Sequence, residues 1–305
     1  MSYKTISIKT VLHKVKSSYL PYSWDLNVYR GCEHRCRYCY AIYSHKYLTN
    51  MTYANPDDYF REIYIKSNIV DVLEAKLRSR SWKKEIININ SVTDCYQPLE
   101  EKEQIMPQIL KLMIKYKNPI TISTKSDLIL RDYDLIDELG RLTYVNIACS
   151  LITTNEYIQK KLEPGTPSPQ RRLNMIKEIG KSSASTGLHV MPVVPFLTDD
   201  TDMFNDMFSK AKDAKVDYAV ANILRLIGQT RGFFFNFIRN NFSDLFTEFY
   251  ALYPEWNAQK DYRVHTYSLI NKLIEKHGLS SSFTSAIKAK LKEKLYCQPA
   301  LFNTK

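Results

Sequence analysis

The stretch Asn27-Val28-Tyr29-Arg30-Gly31-Cys32-Glu33-His34-Arg35-Cys36-Arg37-Tyr38-Cys39-Tyr40-Ala41 brings Cys32, Cys36 and Cys39 within one short loop. Thiolates that close together make a metal site. A [4Fe-4S] cluster takes up to four thiolates, one per iron, so a loop with three leaves one iron open to a ligand from outside the chain. A structural zinc competes, because Cys32, Cys36 and Cys39 with His34 or His45 make a Cys3His set. Zinc modules, however, usually pair two close ligands with two distant ones, and the spacing here is tighter and lopsided. Disulfides belong to short secreted chains without room for a core, whereas this chain has 305 residues and six cysteines. Of the other three, Cys149 sits in an apolar run and reads as a small buried residue, Cys297 lies outside any pattern, and Cys95 follows a predicted strand.

With 44% hydrophobic and 12% aromatic residues the chain has ample material for a core. No apolar stretch approaches the length of a transmembrane helix and the first residues lack a signal-peptide pattern, which predicts a cytoplasmic protein without a membrane association. Lysines and arginines outnumber acids by 43 to 32, a net charge of +11. That balance suits a nucleic acid or another polyanion, although lysines spread along solvated helix faces account for much of it.

Short β-branched runs alternate with helical patterns, as in a parallel sheet built from βα units. Strands are predicted over residues 25–29, 85–92, 119–124, 144–151, 188–194 and 218–223, with helices over 57–80, 101–116, 133–141, 168–181 and 202–214. The order predicts an α/β fold, a partial (β/α)6 TIM-type barrel over residues 1–225, with a helical C-terminal appendage over 226–305. In the appendage Phe242, Phe246, Phe249, Tyr250 and Tyr253 recur at helical spacing and predict a stripe packed on the barrel. Loops after the C-terminal ends of barrel strands carry active sites. The cysteine loop, Thr93 to Pro98, Lys125 to Asp127, Ser150 to Thr154 and Pro192 to Pro195 all fall there.

The C-x-x-x-C-x-x-C loop with an aromatic before its last cysteine resembles the radical SAM superfamily. Together with Thr93-Asp94-Cys95-Tyr96-Gln97-Pro98-Leu99-Glu100, Ser123-Thr124-Lys125-Ser126 and Leu162-Glu163-Pro164-Gly165-Thr166 it is similar to the spore photoproduct lyase-like branch. The resemblance covers about residues 25 to 195 and implies a [4Fe-4S] cluster on Cys32, Cys36 and Cys39. It further implies S-adenosylmethionine (SAM) on the open iron, a 5′-deoxyadenosyl radical that abstracts a substrate hydrogen, and an external electron donor of flavodoxin or ferredoxin type. It places Tyr38 and Tyr40 at the adenine, with a hydrogen-relay role, and Thr93, Asp94, Lys125, Ser150 and Arg172 around SAM. Packing explains Tyr38 and Tyr40 equally well, a surface lysine explains Lys125, and helix capping by Thr166 or Ser168 explains the block before Arg172.

The departure concerns hydrogen return. The lyase has a cysteine immediately before its Thr-Ser-Asp, where this chain reads Ser91-Val92-Thr93-Asp94-Cys95. If the strand continued, alternation would turn Ser91, Thr93 and Cys95 to one face, making Cys95 a candidate hydrogen donor. Three functions therefore stand: a radical enzyme on a DNA lesion or modified base, the same chemistry on a peptide or small molecule, and a zinc-stabilised binding protein. The terminal Gln298-Pro299-Ala300-Leu301-Phe302 resembles the short peptides that dock sliding clamps, with a tucked tail as the plainer reading.

Overall fold

Ten strands appear in the computed structural model, which describes residues 1–17, 20–45 and 55–297, with side chains through residue 290. They are β1 (Ser2–Ile6), β2 (Leu12–Lys14), β3 (Trp24–Leu26), β4 (Tyr29–Arg30), β5 (Glu62–Lys66), β6 (Ile87–Ile89), β7 (Ile120–Thr124), β8 (Val145–Ser150), β9 (Ser185–Val193) and β10 (Tyr218–Ile223). Strands β3, β6, β7, β8, β9 and β10 lie side by side in sequence order, each parallel to the next. They are the six strands that the β-branched runs predict. Strand β2 pairs antiparallel with β3 at one edge, and among the described residues the sheet does not close. The fold is thus the open (β/α)6 arrangement of a partial barrel.

Strand alternation divides the residues of this sheet between two environments. Ile120, Ile122, Val145 and Ile147 are fully buried in the apolar core beneath the helices, whereas Thr121, Ser123 and Lys125 line the cavity on the other face. The covering helices include α1 (Ile69–Arg78), α2 (Ile105–Tyr116), α3 (Tyr133–Leu142), α4 (Glu156–Leu162), α5 (Pro169–Ile179) and α6 (Thr201–Asp213). In α2 the buried residues Ile105, Met106, Ile109, Leu110, Leu112 and Met113 recur every three to four positions, one continuous core face.

The helix predicted over 57–80 is corrected. A single helical turn, Asp58–Arg61, leads into β5, and only then does α1 begin. Strand β5 exists because β1 pairs with it in parallel and β4 antiparallel, a small sheet whose partners are distant in sequence.

After β10 the chain is helical: α7 (Gln229–Asn241), α8 (Phe246–Leu252), α9 (Lys260–Lys276) and α10 (Phe283–Cys297). Phe234, Phe237, Ile238, Phe249, Tyr253, Ile270 and Leu273 join the same core as the barrel residues. Of the predicted stripe, Phe249 and Tyr253 are buried while Tyr250 is 62% exposed. The outer edge of β10 is met by the segment before α10, where the Ala219 N–H donates to the Ser280 carbonyl at 2.9 Å. Gln298 to Phe302 lie outside the described residues.

Candidate functional site: the cysteine loop and the barrel cavity

The cysteine loop leaves β4 through Gly31, whose φ of +86° is accessible mainly to glycine. Backbone bonds then clamp the loop from three sides. The Cys32 N–H donates to the Tyr59 carbonyl at 3.3 Å, and the Arg37 N–H donates to Leu162 at 2.8 Å. The Glu33 N–H donates to Gln97 Oε1 at 2.9 Å, and the Thr93 hydroxyl donates to the Gly31 carbonyl at 2.7 Å. Gly165 N–H donates to the His34 carbonyl at 3.1 Å. A Cβ at Gly165 would stand 2.2 Å from the Glu33 carbonyl oxygen, so this close approach needs glycine.

A cavity of about 810 Å³ opens over the loop and the C-terminal ends of the strands. Its lining includes Cys32, Cys36, Cys39, Tyr38, Tyr40, Thr93, Asp94, Lys125 and Ser150, so nine of the eleven residues singled out in the sequence meet there. The Tyr38 hydroxyl donates to Glu163, and the half-exposed Tyr40 donates to the carbonyl of Ser91, itself a lining residue.

Two residues are placed elsewhere. Arg172 is fully buried behind the wall: it pairs with Glu163 at 2.6 Å, donates to the Ser150 carbonyl at 3.1 Å and the Pro167 carbonyl at 2.9 Å, and reaches the Thr166 hydroxyl. Its donors are consumed by structure, and it holds the Glu163 block that clamps the loop. Cys95 is fully buried in the apolar core and does not line the cavity. Strand β6 ends at Ile89, so the alternation that would have turned Cys95 inward does not reach it. Ser91 is equally committed, its hydroxyl donating to Asp25.

Asp94 pins three elements together. It accepts from the Thr124 hydroxyl at 2.8 Å, the Lys125 N–H at 2.9 Å and the Tyr96 N–H at 2.9 Å, and it faces His34 Nδ1 at 3.4 Å. Burial resists both charges, but their mutual attraction, with Cys32 beside the imidazole, holds His34 at about 10 and Asp94 at about 2. Burial pushes the Cys36 thiol well up, with Glu163, Cys39 and Cys32 adding to it, and burial with Cys32 raises Cys39 to about 12. For Lys125, burial opposes the charge and the neighbouring Cys36 and Glu163 outweigh it, so the ammonium stays charged.

The cavity also holds residues to which the sequence reading gave no role: Asn88, Asn90, Ser123, His189, Asn222 and Arg225. Their signal was available as polar residues at alternate strand positions, 88 and 90, or 121, 123 and 125, inside otherwise apolar runs. The Asn90 side chain is 9% exposed, and its Oδ1 has no hydrogen-bond partner.

This donor set fits the groups the resemblance implies. The three thiols border one cavity, an ammonium stands near them where a carboxylate can bind, and the Asn90 amide oxygen is left for a polar ligand. Among the described residues no three His, Cys, Asp or Glu side chains converge as a single metal ion requires.

The family model of the Radical SAM superfamily matches residues 26–207, and the chain belongs to that superfamily. Membership implies an iron-sulfur cluster and SAM. An uncharacterized protein of Mycobacterium tuberculosis is 32% identical over 255 residues, 83% of this chain and 74% of its own length. Another uncharacterized protein, from Methanocaldococcus jannaschii, is 28% identical over 174 residues, 57% of this chain and 61% of its length. Among solved structures, a spore photoproduct lyase mutant with bound AdoMet and dinucleoside spore photoproduct has a TM-score of 0.64 at 12% identity, covering 90% of this chain and 79% of that one. SuiB of Streptococcus suis bound to its precursor peptide has a TM-score of 0.52 at 12% identity, covering 87% of this chain and 49% of that one. These two likenesses concern the fold: this chain shares the partial barrel of the lyase structures.

Proposed function

We propose that the protein is a radical SAM enzyme acting on nucleic acid, with a damaged or modified base as the group that enters the cavity. In this reading Cys32, Cys36 and Cys39 hold a [4Fe-4S] cluster. The observation that carries it is the meeting of these three thiols with Lys125, Ser150 and a floor of uncharged amides and hydroxyls in one cavity of about 810 Å³. When bound, the cluster and SAM supply an electron and a 5′-deoxyadenosyl radical able to abstract a substrate hydrogen.

The chain's own residues orient and shelter. The Lys125 ammonium offers a charge to the SAM carboxylate, and the Ser150 hydroxyl a hydrogen bond. The Asp94–His34 pair fixes the height of the loop against β7. Tyr38, Tyr40 and Tyr59 wall the cavity around the thiols with rings that exclude water. The net charge of +11 supports a polyanionic substrate, and an external one-electron carrier supplies the reductant.

The test is anaerobic reconstitution with iron and sulfide, reduction, addition of SAM and measurement of 5′-deoxyadenosine. Protein carrying Cys32→Ala, Cys36→Ala and Cys39→Ala should form none. Cleavage that survives the triple substitution would remove the cluster assignment. Wild-type protein that binds neither DNA nor RNA at low salt would remove the nucleic-acid assignment and leave the radical chemistry standing.

A further inference from the structure

At the mouth of the cavity Arg225, just beyond β10, lays its guanidinium over the Trp256 ring, 4.6 Å from its centroid. Backbone pairing holds the two segments together: Arg225 bridges to Asn257, and the Leu226 N–H donates to the Trp256 carbonyl at 2.8 Å. Arg225 is exposed and belongs to the cavity lining, beside Ile227 and Tyr40, which are 53% and 54% exposed. Trp256 is itself 40% exposed. This is an exposed cation-aromatic pair: Arg225 lines the cavity, and Trp256 meets it from outside the lining.

A nearby arginine shows the contrast. Arg231 lies over Phe235 at 4.8 Å, but its guanidinium donates to the carbonyls of Tyr253 and Glu255, so it serves to tie α7 to the loop after α8. Arg225 meets an indole face instead of a carbonyl or a carboxylate. A guanidinium held over a ring keeps N–H groups available for a phosphate, and an exposed aromatic ring accepts any base because every base has a π-face. The floor adds base-edge recognition through Asn90, whose Oδ1 is unpartnered, beside Asn88, whose Nδ2 donates to Asp25 at 2.8 Å, and Asn222, whose Oδ1 accepts from the Tyr267 hydroxyl at 3.0 Å.

We propose that Arg225 and Trp256 form a stacking platform for a single-stranded or flipped-out nucleic acid, holding the nucleotide next to the one whose base enters the cavity. The proposal rests on the nucleic-acid reading above and adds its docking surface. A strand crossing the mouth places one base among the amides and its neighbour on the indole. The Arg225 edge then meets the intervening phosphate.

The test uses the full-length protein and an end-labelled single-stranded oligonucleotide of mixed pyrimidine sequence, followed by fluorescence anisotropy over a salt series. Trp256→Ala should weaken binding by about 5- to 100-fold without changing the salt slope, and Trp256→Phe, which keeps an aromatic face, should recover most of it. Arg225→Ala should lower the slope of log affinity against log salt by about 0.7, one single-strand phosphate contact. Melting temperatures of all variants separate these effects from unfolding. Unchanged binding by Trp256→Ala, equal loss in Trp256→Phe, or an unchanged slope for Arg225→Ala overturns the platform while wild-type binding upholds the nucleic-acid reading. Wild-type protein that binds no oligonucleotide at low salt overturns both and points to a peptide or small molecule at the same mouth.

Discussion

His189 faces the cavity from β9, with Nδ1 3.1 Å from the Ser123 hydroxyl and Nε2 3.1 Å from the Tyr218 hydroxyl. Asn146 Nδ2 also donates to Tyr218 at 3.0 Å. Burial, reinforced by the Lys125 charge, holds the His189 pKa down at about 4, so the ring is neutral near neutral pH. Between about 6.5 and 4 the unfolded chain binds this proton and the native protein does not, so the His189 contribution to stability is lost as pH falls through that window. His189→Asn should flatten the decline of the urea midpoint between pH 6.5 and 4 relative to wild type, and parallel curves would refute the assignment. Cys95 supports a second expectation at this scale. Because the thiol lies in the core, Cys95→Ala should cost about 1–2 kcal/mol and leave reconstituted iron and 5′-deoxyadenosine formation intact. Loss of iron or of 5′-deoxyadenosine from a folded variant would show that the buried thiol supports the site from the core. Sequence alone could not settle Cys95, since its facing depends on where β6 stops.

The elements around the cavity were legible to different degrees for definable reasons. The six parallel strands could be read because each apolar run is short, is bounded by turn residues and packs between helices. Strand β5 could not, because Glu62–Lys66 runs straight on from a helical turn and is strand only through pairing with β1 and β4. The cysteine loop was legible from spacing, whereas its clamp was not: nothing local links Glu163 and Arg172 to Tyr38. In the structure the fully buried Glu163–Arg172 pair joins α4 and α5 to the loop through the Tyr38 hydroxyl. Burial opposes the Glu163 charge, and Arg172 and Lys125 outweigh it and hold the carboxyl below its usual range. Removing one member strands the other charge in the interior, at a cost of about 3–5 kcal/mol. Arg172→Met should therefore lose that much stability in urea unfolding, and adding Glu163→Gln to it should restore a large part. A single variant as stable as wild type, or a double variant no better than the single, would mean that the pair is not what holds the α4–α5 junction.

At the scale of the molecule, the open sheet has an edge to protect, and the chain protects it with its own C-terminal segment. An uncovered strand edge exposes unpaired backbone donors and acceptors; here Ser280 meets Ala219 on β10, and Phe283 sets its ring edge-on to His189 at 5.6 Å and tilted against Tyr218 at 5.1 Å. Ile287 behind it is fully buried and Leu279 nearly so. The composition of residues 226–305 pointed to helices, but closure of the barrel's side by α10 depends on one bridge and one ring that no periodicity announces. Ending the chain after Gly278 removes Leu279, Phe283 and Ile287 from their contacts. Each fully buried large apolar side chain is worth about 1.5–3 kcal/mol, so the melting temperature should fall by roughly 5–15 °C. Iron loading should survive in the truncated chain, because the clamps on the cysteine loop, including the Tyr3 hydroxyl on Glu33, the Arg172–Glu163 pair and the Thr230 hydroxyl on the Cys39 carbonyl, come from residues that precede Leu279. An unchanged melting temperature would show that α10 does not cover the β10 edge. Iron lost together with stability would show that loop and edge form one cooperative unit, so that closing the open side of the barrel is a condition for holding the cluster.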